Sequence, residues 1–317
     1  MSKKLDIVFM GTPGFAVGIL DLLVKKGHNI KAVVTAADKP AGRGRKLLFS
    51  EVKQFALNNN IPVLQPEKLK SQDFQEQLKE INADLFIVVA FRMLPKIVWE
   101  IPKYGTFNLH ASLLPDYRGA APINHAIING DTKTGVTTFF INENIDTGNI
   151  VMQRDCKILL DDNAGTLHDK LMQIGSELVN ETVEQIESGN ITSIPQDINN
   201  KIIHPAPKLS KEYCRINWNK TGDEIVNHIR GLSPYPTAWT MLSDDINSAC
   251  KIYKARFTPE THNLSNGSLL SDNKTFTKVA IANGFVVLEE LQLAGKKRMN
   301  INSLLNGYKF NDDIIIK

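Results

Sequence analysis

Over its first 110 residues the chain alternates short apolar runs with segments of helical period, and this alternation points to an α/β architecture built on a parallel sheet. LDIVFMG (5–11) ends in glycine, and GFAVGILDLLVKKG (14–27) then repeats apolar residues at helical spacing up to a glycine stop. IKAVVT (30–35) predicts a second buried strand, EVKQFALNN (51–59) and SQDFQEQLKEI (71–81) two helices. DLFIVVA (84–90) and GTFNLH (105–110) predict further strands, with LPKIVWEI as a short helix between them. Strands this continuously apolar need cover on both faces, and ligands of such sheets bind beyond the carboxyl ends of the strands.

APINHAIING (121–130) reads as a helix, GVTTFFIN and NIVMQRDCKI as β-rich runs separated by ENIDTG, and residues 163–189 as a long amphipathic helix. The stretch ITSIPQDINNKIIHPAPKLSKEY, with three prolines and no period, reads as a linker. Beyond it come a helix, TGDEIVNHIRGL, and short β-like runs (TAWTML, CKIYKARF, KVAIA, FVVLEELQL) that suggest a small β-barrel-like domain. A length of 317 residues favours two cores. The expected division is 1–190, a linker at 191–208, and a second domain at 209–317.

Cys156, Cys214 and Cys250 are far apart and odd in number, which suits neither a disulfide framework nor a CxxC metal site and points to a reducing cytoplasm. The N-terminus has no signal-peptide h-region, and no apolar run approaches the ~18 residues of a membrane span. Charge is uneven: residues 1–200 carry 21 Lys+Arg against 23 Asp+Glu, and residues 201–317 carry 16 against 11. The basic second part suits a polyanionic partner, although ordinary surface charge explains the same imbalance.

GTPGFAVG, after the first strand, invites a dinucleotide-site reading that its details oppose. The spacing of Gly11, Gly14 and Gly18 is not GxGxxG, and the second strand ends in Thr35 and Ala36 where an acidic ribose ligand would be required. A glycine-dependent strand-to-helix turn accounts for it. FNLHASLLPDYRGAAP (107–122) is more informative. Strand side chains alternate, so Asn108 and His110 share one face and Phe107 and Leu109 the other. An amide and an imidazole at a strand's carboxyl end can polarise a carbonyl and hold the oxyanion formed by nucleophilic addition; a capping Asn and a solvated His is the plainer alternative. Asp146 is either an Asx-turn residue or a carboxylate that orients His110 and accepts a proton. His125 and His168 lie in helical patterns and read as helix-surface histidines.

Asn108-x-His110, SLLPDYRGAAP (112–122) and the IDTG containing Asp146, in this order and at these separations, resemble the folate-dependent formyltransferases. The resemblance implies a catalytic set of Asn108, His110 and Asp146. It also implies a folate pocket lined by Ser112, Leu113, Leu114 and Pro115, 10-formyltetrahydrofolate as formyl donor, and no metal. TAADKPAGRGRK (35–46), KLSKEYCRINW (208–218) and LAGKKRM (293–299) resemble the members of that family that act on methionyl-tRNA. They imply initiator methionyl-tRNA as partner, contacted by Arg43, Arg45, Lys46, Lys208, Lys296, Lys297 and Arg298. The implied fold is a Rossmann-like, mostly parallel sheet followed by a smaller OB-like barrel, in a cytoplasmic monomer. Sugar-nucleotide formyltransferases share the catalytic segment and are the near alternative; an RNA-binding protein without catalysis is the distant one. One difference stands out: the family reads AYG with a slightly longer loop before LPK, whereas Phe91 and Arg92 occupy that place here.

Overall fold

The computed structural model describes residues 4–41, 46–198, 202–242, 248–311 and 316. Contacts divide the chain into two compact units, the first comprising Met1–Gly119, Thr134–Cys156 and His168–Pro205, the second the remainder. In chain order the elements run β1 (Asp6–Gly11), α1 (Gly14–Lys25), β2 (Asn29–Val34), β3 (Lys39–Ala41), β4 (Lys46–Leu48), α2 (Glu51–Asn58), β5 (Val63–Leu64), α3 (Gln72–Ile81), β6 (Leu85–Val89), α4 (Lys96–Trp99) and β7 (Thr106–His110). There follow α5 (Pro122–Ile128), β8 (Lys133–Phe140), β9 (Ile150–Lys157) and α6 (Ala164–Ser188). The chain continues through α7 (Gly222–Leu232), β10 (Ala238–Met241), β11 (Ala249–Pro259), β12 (Leu269–Ser271), β13 (Thr277–Ile281), β14 (Gly284–Leu293), β15 (Met299–Asn300) and α8 (Ile301–Leu305).

The first unit is organised by a seven-stranded sheet in the order β5-β2-β1-β6-β7-β8-β9. β5, β2, β1, β6 and β7 pair in parallel, and β8 runs antiparallel to β7, so the sheet is mostly parallel, as the alternating pattern predicts. β6 is buried along its whole length, consistent with cover on both faces. α1 turns Phe15, Ala16, Ile19, Leu20 and Leu23 inward, the helical spacing visible in its sequence. Gly11 is required by close packing: a Cβ there would lie 2.6 Å from that of Ala16 and 3.0 Å from the Val89 carbonyl oxygen. At the end of β2, buried Thr35 bonds through its hydroxyl to Ser50, whose oxygen in turn accepts the Lys53 amide and caps α2. The strand end that lacks a ribose-binding acid is thus occupied by a helix cap.

α6 settles which face of β7 is which. Its Gly175 lies against Leu109, where a Cβ would come within 2.8 Å of the leucine Cδ2. Thr138, paired with Leu109 across β8, bonds to Thr182 of the same helix at 2.9 Å. Asn108 and His110 therefore face away from α6, by the period-two alternation of the strand.

The second unit is built on an antiparallel sheet, β10-β11-β14-β13-β12, with β15 beside β14. α7 starts from a capping box in which Thr221 accepts the Glu224 amide and Glu224 accepts that of Thr221. Its buried Ile225, Ile229 and Leu232 join Ile252, Val286, Leu288 and Leu291 of the sheet in one core. α5 belongs to this unit by its contacts: Gly231 of α7 lets Ile128 approach, and the Asn124 amide donates to the Gly231 carbonyl at 2.7 Å.

His125 departs from expectation. It is buried, not on the helix surface, with one ring nitrogen 3.0 Å from the Pro207 carbonyl oxygen and Tyr213 packed at 5.4 Å between ring centroids. Burial lowers its pKa, and that of His228, which also packs against Tyr213. His168 is half-buried, edge-on to Phe15 and 2.9 Å from the Asp169 carboxylate. No helix among the described residues is long and apolar enough to cross a membrane.

Candidate active site

The carboxyl end of β7 presents the two polar groups that strand alternation places together. Asn108 is half-buried, and its amide has no hydrogen-bond partner among the described residues. His110 is buried and held at both ring nitrogens: Nε2 lies 2.8 Å from the Tyr117 carbonyl oxygen, and Nδ1 lies 3.7 Å from Oδ2 of Asp146. Each ring nitrogen thus faces an oxygen acceptor.

Both groups that hold the ring sit on unusual backbone. Tyr117 has φ +57° and Asp146 φ +53°, the left-handed region that aspartate tolerates and a bulky tyrosine rarely enters. Each is fixed by several contacts. Asp146 Oδ2 accepts the Gly119 amide at 2.9 Å. In the same connector Asn142 accepts the Asn144 amide and the Thr147 hydroxyl, and a Cβ at Gly148 would overlap the Phe140 carbonyl oxygen, so only glycine fits. Tyr117 donates its amide to the His204 carbonyl at 2.8 Å and stacks on the His204 ring at 5.6 Å. The His204 amide and ring bond in turn to Asp116. Backbone strain held this way by surrounding bonds is a mark of functional sites.

The four residues expected along a folate wall divide by exposure. Ser112 and Leu114 turn inward: the Ser112 hydroxyl donates to the Asp116 carbonyl, and Leu114 packs with Phe139 and Ile150. Leu113 and Pro115 are half-exposed. Thr137 secures the turn, donating its hydroxyl to the Ser112 carbonyl and accepting the Leu114 amide. Met93, just past the carboxyl end of β6, and Ile145, beside Asp146, are exposed apolar residues that neither motif nor period signalled.

Of the expected tRNA contacts, Arg43 and Arg45 lie outside the described residues, and Lys46 is described only by its backbone, in β4. Lys208, Lys296 and Lys297 are exposed. Arg298 is already engaged, its guanidinium forming two bonds with Glu290, at 2.7 and 2.6 Å, and lying 4.2 Å from the Tyr253 ring centre.

Residues 3–183 match the formyl transferase family, and residues 208–309 match the formyl transferase C-terminal domain. The chain belongs to the formyltransferase family. Among its formyltransferase relatives, the methionyl-tRNA formyltransferase of Flavobacterium johnsoniae is 56% identical over 312 residues, covering 98% of each chain. That of Bacteroides fragilis is 51% identical over 319 residues, covering 99% of this chain and 98% of its own. The sugar 3N-formyl transferase WlaRD, solved with dTDP and 5-N-formyl-THF, shares the fold at 23% identity and TM-score 0.63, over 93% of this chain and all of its own (100%). HypX from Aquifex aeolicus, solved with tetrahydrofolic acid, shares it at 16% identity and TM-score 0.64, over 98% of this chain and 51% of its own.

The segment that carries Phe91 and Arg92 has a local physical account. Arg92 donates to the carbonyls of Pro66 and Glu67, at 2.7 and 3.1 Å, and its guanidinium lies 5.3 Å from the Phe91 ring centre. The loop after β6 is thereby tied to the segment after β5.

Proposed function

We propose that this protein transfers a formyl group from 10-formyltetrahydrofolate to the α-amino group of methionine carried by initiator tRNA, as a monomer in the cytoplasm. The observation that carries the reading is the pairing of the His110 ring with Asp146 beside the Asn108 amide, which has no partner among the described residues. The full-length likeness to methionyl-tRNA formyltransferases supports the choice of acceptor.

In this reading the amine attacks the formyl carbon, forming the new C–N bond and placing negative charge on the formyl oxygen. The carbonyl then re-forms as the bond to the folate nitrogen breaks, and that nitrogen takes up the proton that Asp146 received from the amine. Asn108 donates to the oxyanion, and protonated His110, held by Tyr117 and Asp146, keeps positive charge beside it. Asp146 accepts the proton that the amine sheds. Leu113, Pro115, Met93 and Ile145 offer apolar surface to the folate. The segment of Arg43, Arg45 and Lys46, with Lys208, Lys296, Lys297 and Arg298, meets tRNA phosphates, which supply sequence-independent affinity.

A competition assay with one formyl donor and two acceptors, charged initiator tRNA and an amino-sugar nucleotide, tests the reading. Formyl transfer to the tRNA alone is expected. Transfer to the sugar nucleotide alone would replace the acceptor, and no transfer to either would remove the enzymatic reading.

A further inference from the structure

Gln196 lies in the stretch after α6 that has no sequence period, fifty positions from Asp146, yet every polar site of its side-chain amide is used. Its Nε2 donates to the carbonyls of Asp146 and Gly148, both at 2.9 Å. Its Oε1 accepts from Nε and Nη2 of Arg118, at 3.1 and 2.6 Å. Two donors and two lone pairs are thus matched to four partners, which is all that a carboxamide can make. The stretch is itself docked two residues earlier, where Ile194 and Ile150 exchange backbone hydrogen bonds at 2.8 and 2.9 Å.

These bonds converge on the strained turn that carries Asp146. A residue at φ +53° keeps that conformation only while its surroundings hold it there. Gly119 holds the Asp146 carboxylate from one side, and Gln196 holds the carbonyls on both sides of Thr147. Arg118, next to Gly119, fixes the Gln196 amide with its oxygen toward the guanidinium and its N–H groups toward the turn.

We propose that Gln196, oriented by Arg118, is a positioning residue that sets the Asp146 carboxylate against His110. It touches neither substrate, so its removal lowers turnover without weakening substrate binding. The proposal rests on the formyl-transfer reading for its kinetic consequence but not for its structural one.

Gln196→Glu is the discriminating variant. It keeps the shape and the Arg118 contact but replaces the NH2 donor with an oxygen that repels the two carbonyls. Gln196→Ala, which leaves all four partners unpaired, serves as the second variant. In Gln196→Glu, amide hydrogen exchange at Gly119 should accelerate about ten-fold or more, while amides within β7 keep their protection. Formyl transfer should lose about 10- to 100-fold in kcat, with KM for tRNA and folate within about two-fold of wild type, as for a small misplacement of a reacting group. In an Asp146→Asn background the same substitution should cost less than about three-fold, because a residue that acts through Asp146 has nothing left to position. Unchanged Gly119 exchange would overturn the proposal whatever the activity, as would a full additional loss in the Asp146→Asn background. An inactive wild type with accelerated Gly119 exchange in the variant would overturn the functional reading and leave the positioning role standing.

Discussion

Two strand connectors carry charged groups of functional interest, and they are built in opposite ways. The one between β8 and β9 holds Asp146 with bonds from Gly119 and Gln196, in a turn that admits only glycine at position 148. The one between β14 and β15 carries Lys296 and Lys297 in the open, and a Cβ at its Gly295, φ +69°, would meet nothing within 4 Å. A carboxylate that must meet one imidazole needs one geometry, and the fold uses backbone strain and partly buried hydrogen bonds to secure it. Cations that attract a polyanion act over a Debye length of ~10 Å and need only be present.

Substitutions that make one connector resemble the other test this contrast. The largest effect is expected from Gly148→Ala, which drives a methyl group into the Phe140 carbonyl and displaces Asp146. Formyl transfer should fall by about 100-fold while the rest of the first unit keeps its amide protection; near-normal turnover would show that the Asp146 turn is not held as described. The same change at Gly295 meets open space and should cost only about 1 kcal/mol of stability for the left-handed backbone, read by denaturant unfolding, with turnover unchanged. Replacing Lys296 and Lys297 together by alanine should leave kcat alone, weaken tRNA use by a few-fold, and reduce the slope of log affinity against log salt by roughly two. A variant with an unaltered salt slope would remove these lysines from the tRNA surface. Arg298→Ala should change that slope least, because Glu290 already neutralises the guanidinium; a shift as large as the double-lysine variant's would reverse this ranking.

Two histidines give the second unit a response to acid. His125 and His228 in the second unit have pKa values lowered by burial, so the unfolded chain, titrating near ~6.5, binds protons that the folded unit refuses. Their contribution to stability is complete above that pH and declines as the pH falls below it. The unfolding midpoint should drop between about pH 6.5 and 5, and a His125→Gln, His228→Gln double variant should flatten that part of the profile. Equal slopes in the two proteins would mean that neither histidine is kept neutral by the fold.

What could be read from the sequence follows from periodicity. Continuous apolar runs placed β1, β2, β6 and β7, and simple alternation put Asn108 and His110 on one face, opposite the Leu109 that meets α6. Strand alternation says nothing about carbonyl groups, so the Tyr117 oxygen that holds His110 had no signal. Gln196 had none either, since it lies in an aperiodic stretch and its partners are distant in the chain. The burial of His125 has no signal in the sequence, because one histidine in an amphipathic segment looks alike on either face until the segment carrying Pro207 and Tyr213 is placed against it. The pairing of Arg298 with Glu290 depends on the register between β14 and β15, in which Glu290 lies opposite Asn300. Charge counting sees only the cation.

The central claim is that the end of β7 stabilises an oxyanion during formyl transfer to charged initiator tRNA. It is tested most directly by single-turnover formylation of that tRNA with wild-type protein and the Asn108→Ala variant, at saturating folate and tRNA. The account predicts transfer by the wild type and a loss of about 100-fold or more in the variant, with tRNA affinity unchanged. Near-equal rates in the two proteins, or a loss that appears only as weakened tRNA binding, would contradict it.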